Sequence, residues 1–334
     1  MRLTRRDTLL GAAALSLSTP AFAGEAQWRA AAEYSAARRG VSMLVLKGDK
    51  IVFEDYPNRG APDAAWELAS GTKSFTGIIA AAAVQDGLLT LDEKAALTLP
   101  EWLNDPHKKR ITIHQLLSLD SGLHPAGIGR PPAYAAAINA ASDQEPGKHF
   151  AYGPGPFQIF GEIMRRKLSA AGRDPNPVSY LHERVLDPES IAIGAWRNGA
   201  DGNPLMPQGA ALTARDWAKF GRFVMDGGRG RIDRAALAQC FAPSAANPGY
   251  GMSWWLLKPG LIPPTDRMVI ETPRDLAQRF DVRMAAGAGD QRLYLLPAED
   301  LIIVRQASGI IAAMFGAGGQ RYGDADFLLL ALGA

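Results

Sequence analysis

Cysteine is almost missing from this chain. Cys240 stands alone, so no internal disulfide can form, and packing rather than cross-linking must hold the fold. A lone cysteine fits best as a small buried hydrophobe. Histidine is scarce as well. His107, His114, His124, His149 and His182 are the five present; none has metal-ligand spacing, and His182-Glu183 lacks a second histidine four residues after the first. No metal is therefore expected, and His114 and His124 read as structural. Charge of one sign is also lacking. Lys and Arg total 36 against 34 Asp and Glu, and no basic run accumulates, which removes the usual case for a nucleic-acid partner. Beyond the N-terminus no apolar run approaches the roughly 20 residues of a membrane-spanning helix. Internal repeats and low-complexity linkers are absent. So is a Gly-x-Ser-x-Gly elbow, since Gly251-Met252-Ser253-Trp254-Trp255 fails at its last position. Neither Gly153-Pro154-Gly155 nor Gly287-Ala288-Gly289 continues into a dinucleotide fingerprint.

What is present begins with a leader. Met1 to Asp7 is cationic, Thr8 to Pro20 is a short apolar stretch, and Ala21-Phe22-Ala23 has the small-residue pattern of a cleavage site. The Arg5-Arg6 pair after Thr4, followed by Leu9-Leu10, resembles a twin-arginine export signal; a general secretory signal with a chance arginine pair is the alternative. Both predict removal of residues 1–23, a mature chain from Gly24, and a soluble periplasmic or secreted protein with no stable membrane insertion. The remaining length, with 47% hydrophobic residues overall, suffices for one large domain or two subdomains with a proper core.

Chemistry concentrates in the stretch from Trp66 to Gly77, Trp-Glu-Leu-Ala-Ser-Gly-Thr-Lys-Ser-Phe-Thr-Gly. It reads as a short strand, a sharp corner, and an apolar helix running to about Val84. Ser70 falls at the helix start, where backbone N–H groups are unpaired and the local field favours negative charge. Lys73 follows one turn later on the same face. A serine hydroxyl becomes a nucleophile when a neighbouring base takes its proton, and a lysine whose pKa is depressed by burial or nearby cations can be that base. The bare spacing equally describes an ordinary capped helix. However, this is the single Ser-x-x-Lys of the chain, and it sits at a strand-to-helix corner.

Around this corner the pattern predicts helices over Gln27 to Arg39, Ile111 to Leu117 with Thr112 as cap, Ala133 to Ala141, Phe157 to Ala171, and Ala214 to Met225 with Thr213 as cap. A turn and short helix are expected to begin within Asp86 to Lys94. Strands are predicted over Val41 to Leu46, Lys50 to Tyr56, Tyr250 to Leu257, Met268 to Glu271, Gln291 to Leu296 and Leu301 to Gln306, with a turn at Pro297 to Asp300. A last helix covers Asp324 to Leu332. Strands at both ends with helices between imply an α+β fold: one antiparallel sheet built from both termini, flanked by helices, with a mainly helical subdomain inserted at about residues 85–240 of a domain spanning 24–334. A cleft between the two parts is the expected site, with Ser70 at its lip.

Further stretches then acquire a common meaning. They are Asp86-Gly87-Leu88-Leu89-Thr90-Leu91-Asp92 with Leu99-Pro100; Ile111 to Leu117 with Ser121-Gly122-Leu123; Pro146-Gly147 leading to Phe150-Ala151-Tyr152; Ala211 to Trp217; Tyr250 to Trp255; and Ala286-Gly287-Ala288-Gly289-Asp290-Gln291 with Pro297. Together with Ser70 to Lys73 they make the chain resemble the serine β-lactamase and penicillin-binding-like family. The likeness is closest to its class C and esterase-like branch, which includes 6-aminohexanoate-dimer hydrolases, and it covers nearly the whole mature chain. The resemblance implies a β-lactamase/transpeptidase-like fold and a cofactor-free serine hydrolase. Ser70 would be acylated, Lys73 would take or share its proton, and Tyr152 would assist and protonate the leaving group. Backbone N–H groups of Ser70 and Ala288 would form the oxyanion hole, with Gly287 and Gly289 at a strand edge that substrate approaches closely.

Two departures narrow the expectation. Pro154 stands where the family commonly has the Asn of Tyr-x-Asn, and Ala285-Ala286-Gly287 stands where β-lactamases have Lys-Thr/Ser-Gly. The groups that usually meet the substrate amide and carboxylate are thus replaced. Arg283, two residues from Ala285 and on the same strand face, is the candidate substitute cation. A small-molecule ester or amide is the expected substrate. A true β-lactamase or D-Ala carboxypeptidase, and an idle binding or sensor domain on the same scaffold, are the rival readings. Substrate choice would rest on the segments Leu123 to Gln144 and Leu261 to Asp281.

Overall fold

The computed structural model describes residues 21–257, 276, 279–314 and 320–333. The cationic and apolar parts of the leader and the predicted strand Met268 to Glu271 lie outside the described residues. Helix α1 (Ala21–Ala36) runs through the expected cleavage point without a break. It is followed by β1 (Gly40–Lys47) and β2 (Lys50–Asp55), the hairpin expected around Gly48-Asp49. The chain's second half supplies β6 (Trp255–Leu256), β7 (Arg283–Gly287), β8 (Gln291–Leu296) and β9 (Leu301–Ala307). These join β1 and β2 in one sheet of order β2-β1-β9-β8-β7-β6, with antiparallel pairing throughout. The two ends of the chain therefore meet at the β1–β9 pair, where Val45 lies opposite Ile303.

Both faces of this sheet are covered, and the residue alternation along β8 shows how. Leu293 and Leu295 point to helix α7 (Ala214–Met225), where Gly221 lets the helix approach: a Cβ on it would lie 3.0 Å from Leu295 and 3.1 Å from Leu293. Arg292 and Tyr294 point the other way, to the C-terminal helix. Thr213 caps α7 by accepting from the Asp216 N–H, and its hydroxyl donates to the Asp216 carboxylate at 2.7 Å. Such a reciprocal cap explains why this helix begins where the sequence predicts.

Between β2 and β6 lie α2 (Lys73–Gln85), α3 (Ile113–Leu117), α4 (Tyr134–Ile138), α5 (Gly155–Ala170), α6 (Pro177–Leu181), α7 and α8 (Arg234–Gln239), joined by loops and short 3₁₀ turns. Thr112 and Gln115 form a full capping box on α3. A second sheet joins the short strand expected before the Ser70 corner, β3 (Trp66–Glu67), to two that were not foreseen, β5 (Ala210–Leu212) and β4 (Ala195–Trp196), in the order β3-β5-β4. Its strands are two or three residues long, too short for a period-2 signal. Helices α9 (Ile310–Met314) and α10 (Asp324–Leu332) follow β9, and α10 packs beside α1.

The predicted strand Tyr250 to Leu257 needs correction. Only Trp255 and Leu256 join the sheet. Ser253 has φ +72° and the Gly251 N–H donates to the Trp254 carbonyl at 2.9 Å, so residues 250–254 close a tight turn. Their aromatic content mimics a strand, but it serves a cluster in which Tyr250 meets Trp255 edge to face at 4.7 Å. Cys240 is buried and free as expected, and burial pushes its thiol pKa up.

Candidate active site

The corner that carries Ser70 is anchored by the small sheet. Trp66 and Glu67 pair with Leu212 and Ala211, and the Leu68 N–H donates to the Ala210 carbonyl at 2.9 Å. The chain then reverses at Ala69, whose φ of +46° lies in the left-handed region that a residue with a Cβ seldom occupies. A 3₁₀ turn, Ala69–Thr72, follows, and the α-helix proper starts only at Lys73. This refines the expected geometry. Three residues per turn place i and i+3 in register, which brings the Lys73 amine over the serine. Lys73 Nζ lies 2.9 Å from Ser70 Oγ.

Helix α2 is buried on every side from Lys73 to Ala83, as its apolar composition requires. Lys73 is 3% exposed and has no carboxylate partner among the described residues. Its amine meets neutral groups: the Ser70 hydroxyl, the Pro207 carbonyl at 3.2 Å, and the rings of Tyr152 and Phe157 at 5.0 and 5.4 Å. Desolvation therefore lowers its pKa from 10.5 to about 7. A neutral amine has two N–H donors and one lone pair. With one N–H on Pro207, the lone pair is available to Ser70.

Pro207 was missed by sequence reasoning because a backbone carbonyl carries no side-chain signal. It is held by Gln158, a buried residue of α5 that accepts from the Met206 N–H at 3.0 Å and donates to the Pro132 carbonyl at 2.8 Å. A glutamine inside the apolar run Phe157-Gln158-Ile159-Phe160 was the available hint.

Tyr152 lies in the loop before α5. Gly153 allows that loop to press against Pro125, whose carbonyl would be 2.3 Å from an added Cβ. Pro154 is the N-cap of α5 and already has a helical φ of −82°, close to the value its ring imposes, so the residue that replaces the family's asparagine has a structural use. Burial raises the Tyr152 pKa to about 12, with hydrogen bonds to Ser70 and Trp255 and the Arg292 charge acting in the opposite direction. Trp255, whose ring lies tilted beside it at 5.3 Å, is a second residue of this site that was not singled out as a site residue. Ser70, Lys73 and Tyr152 thus converge, and burial moves the two titratable groups apart, the amine to about 7 and the phenol to about 12.

On the opposite side, β7 ends against the same corner. A Cβ on Gly287 would sit 2.0 Å from the Leu68 carbonyl oxygen and 3.0 Å from the Gly71 nitrogen. Glycine is required there by close approach. Ala288 follows in the turn between β7 and β8, and Gly289, at φ +76°, packs against Ile310 of α9. Because β6 pairs only with Arg283 and Met284, Ala285 to Gly287 have no strand on that side among the described residues. Arg283 is not free to serve this edge: it pairs with Asp281 at 3.0 Å and lies over the Phe241 ring at 4.3 Å.

An antiparallel sheet built from both ends of the chain, a buried Ser-x-x-Lys at a strand-to-helix corner, and a tyrosine from the intervening region are brought together in one place. Residues 28–319 match the Beta-lactamase family, and the chain belongs to it. Among curated proteins, Protein flp of Staphylococcus aureus (strain NCTC 8325 / PS 47) is 26% identical over 147 residues, covering 38% of this chain and 29% of that protein's length. Among solved structures, EstCE1, described as a hydrolase with promiscuous acyltransferase activity, matches with a TM-score of 0.68 at 14% identity, over 93% of this chain and 98% of that one. A D-stereospecific amidohydrolase from Streptomyces sp. gives 0.63 at 16%, over 87% and 99%. A protein assigned as a 6-aminohexanoate-dimer hydrolase from Bacillus anthracis gives 0.62 at 17%, over 85% and 79%. These likenesses establish the shared β-lactamase/transpeptidase-like fold.

Proposed function

We propose that the chain is a serine hydrolase that cleaves an ester or amide through an acyl-enzyme on Ser70. The observation that carries this is the 2.9 Å contact between Ser70 and a fully buried lysine whose pKa has fallen to about 7. Neutral Lys73 takes the Ser70 proton as Oγ attacks the substrate carbonyl carbon. The N–H groups of Ser70 and Ala288 stabilise the oxyanion, a contribution of roughly 3 kcal/mol per donor in other hydrolases. Tyr152, protonated at neutral pH, gives its proton to the leaving group and is reprotonated from the Lys73 ammonium. Water then repeats the cycle on the acyl-enzyme. Proton acceptor and donor are separate groups because their environments push their pKa values apart.

The substrate class follows from the sheet edge. Ala285 and Ala286 offer neither cation nor hydroxyl, and Arg283 is paired with Asp281. A substrate without a fixed carboxylate fits this edge better than a penicillin or a D-Ala-D-Ala peptide. The activities named for EstCE1 and the amidohydrolase agree with acyl transfer to water from esters or amides. The leader points to an exported enzyme, and among the described residues no helix is long and apolar enough to cross a membrane.

The test compares the chain from Gly24 with Ser70→Ala on short p-nitrophenyl esters, with a chromogenic cephalosporin alongside. Ester turnover that disappears in the variant supports the reading. Equal turnover in both proteins removes Ser70 as nucleophile. Faster turnover of the cephalosporin than of any ester would instead favour the β-lactamase reading.

A further inference from the structure

Arg292 is a buried cation that the steps above do not use. It stands on β8 directly opposite Arg305 of β9, which is buried too. Like charges facing each other across a sheet are destabilising, and burying either is costly. The chain offsets this with partners from distant segments. Arg292 grips Asp324 of α10 with two nitrogens, Nε at 2.6 Å and Nη2 at 3.1 Å. The Tyr294 hydroxyl donates to the same carboxylate. Arg305 donates to the Asp290 and Arg38 carbonyls, each at 2.6 Å, and to Ser35 Oγ at 3.0 Å.

One nitrogen of Arg292 is directed elsewhere. Nη1 donates to the Gly287 carbonyl at 2.9 Å and to the Gln291 carbonyl at 3.0 Å. The Gly287 carbonyl belongs to the same peptide unit as the Ala288 N–H. That unit is planar and trans, so the two groups point in opposite directions. A cation held on the oxygen fixes the rotation of the whole plane. It also draws electron density toward the oxygen and makes the N–H on the other side a stronger donor. A neutral donor would give the first effect with much less of the second.

We infer that Arg292, locked in place by Asp324, orients and polarises the Ala288 N–H for the oxyanion. Arg292 is a positioning residue, acting through the Gly287–Ala288 peptide, and the inference rests on the acyl-enzyme reading above. It also makes α10 a remote support of the site, since Asp324 is the group that sets the guanidinium plane.

The test uses wild type, Arg292→Met/Asp324→Leu, which removes both members of the ion pair together, Arg292→Lys, and Tyr294→Phe. A fluorophosphonate probe first checks the underlying reading: it should label wild type and fail on Ser70→Ala. No labelling of wild type overturns that reading and the inference with it. Each protein is then assayed on a p-nitrophenyl ester and its matched thionoester, whose sulfur is a poor acceptor and makes little use of the donor. For the double variant, kcat on the oxoester should fall about 30-fold, with KM within about twofold and the oxo-to-thiono ratio of kcat/KM reduced about tenfold, a fraction of what complete loss of an oxyanion donor costs. Arg292→Lys should recover part of the ratio, and it keeps the test alive should the double variant fail to fold. Tyr294→Phe should lower the Tm while leaving the ratio unchanged. An unchanged ratio in both Arg292 variants while Ser70 still labels would overturn the inference. So would an equal fall in Tyr294→Phe, since the effect would then follow stability alone.

Discussion

Lys73 and Arg292 are both buried basic residues beside one site, and their proton affinities move in opposite directions. Burial lowers the Lys73 pKa to about 7 and nothing opposes it. Burial disfavours the Arg292 charge as well, but the Asp324 carboxylate outweighs it and the pKa is raised. The deciding variable is the partner rather than the depth. Lys73 faces a hydroxyl, a carbonyl and two aromatic rings, all neutral. Arg292 faces a carboxylate across a two-pronged ion pair. The residue types suit these surroundings: lysine shifts readily when desolvated, whereas arginine holds its charge and matches a carboxylate geometrically. One environment lowers a proton affinity, the other holds a permanent charge.

The largest effect should come from removing the base. Lys73→Met should lower kcat on an ester by about 10³-fold, within the range for loss of a general base, while fluorophosphonate labelling of Ser70 slows in parallel. The next should come from giving Arg292 the neutral surroundings of Lys73. Asp324→Asn leaves a buried guanidinium uncompensated and should cost about 3–5 kcal/mol of stability, read as a fall in the urea midpoint. A smaller change of opposite sign is expected for the lysine. In Lys73 the folded pKa lies below the unfolded one, so the unfolded chain binds more protons between the two values. The stability penalty is complete below about pH 7 and is relieved as pH rises toward the 10.5 of an exposed lysine. Lys73→Met should therefore raise the Tm, by more at pH 6 than at pH 9, in differential scanning measurements. A single Tm difference at both pH values would contradict the depressed pKa. The mildest test concerns rate alone: kcat/KM for a neutral ester should rise with pH through about 7 as Lys73 loses its proton.

Much of this architecture was legible in local pattern. Gln291–Leu296, Ala214–Met225 and Asp324–Leu332 coincide with their predicted spans because apolar periodicity, a threonine cap and a closing Pro or Gly agree there. The Ser70–Lys73 pair was legible from spacing, and Tyr152 from its frame in the family resemblance. What escaped depends on segments far apart in the chain. The Arg292–Asp324 pair spans 32 residues, and two buried arginines on facing strands look, in sequence alone, like solvent-facing positions. The Pro207 carbonyl and the left-handed Ala69 are backbone facts with no residue signature. In Tyr250 to Trp254, aromatic residues that pack into a cluster have the same composition as a strand. Arg283 was a reasonable substitute cation by strand register, but Asp281 and Phe241 engage it.

The central claim is that Lys73 is a neutral amine at the pH where the enzyme would work. The direct test is an NMR titration of the chain with ¹³C-labelled lysine side chains, the Lys73 signal being assigned by its loss in Lys73→Met. A midpoint near pH 7, well apart from the other lysines, is the predicted result. A Lys73 signal that stays protonated until about pH 10, where ordinary lysines titrate, would contradict the account.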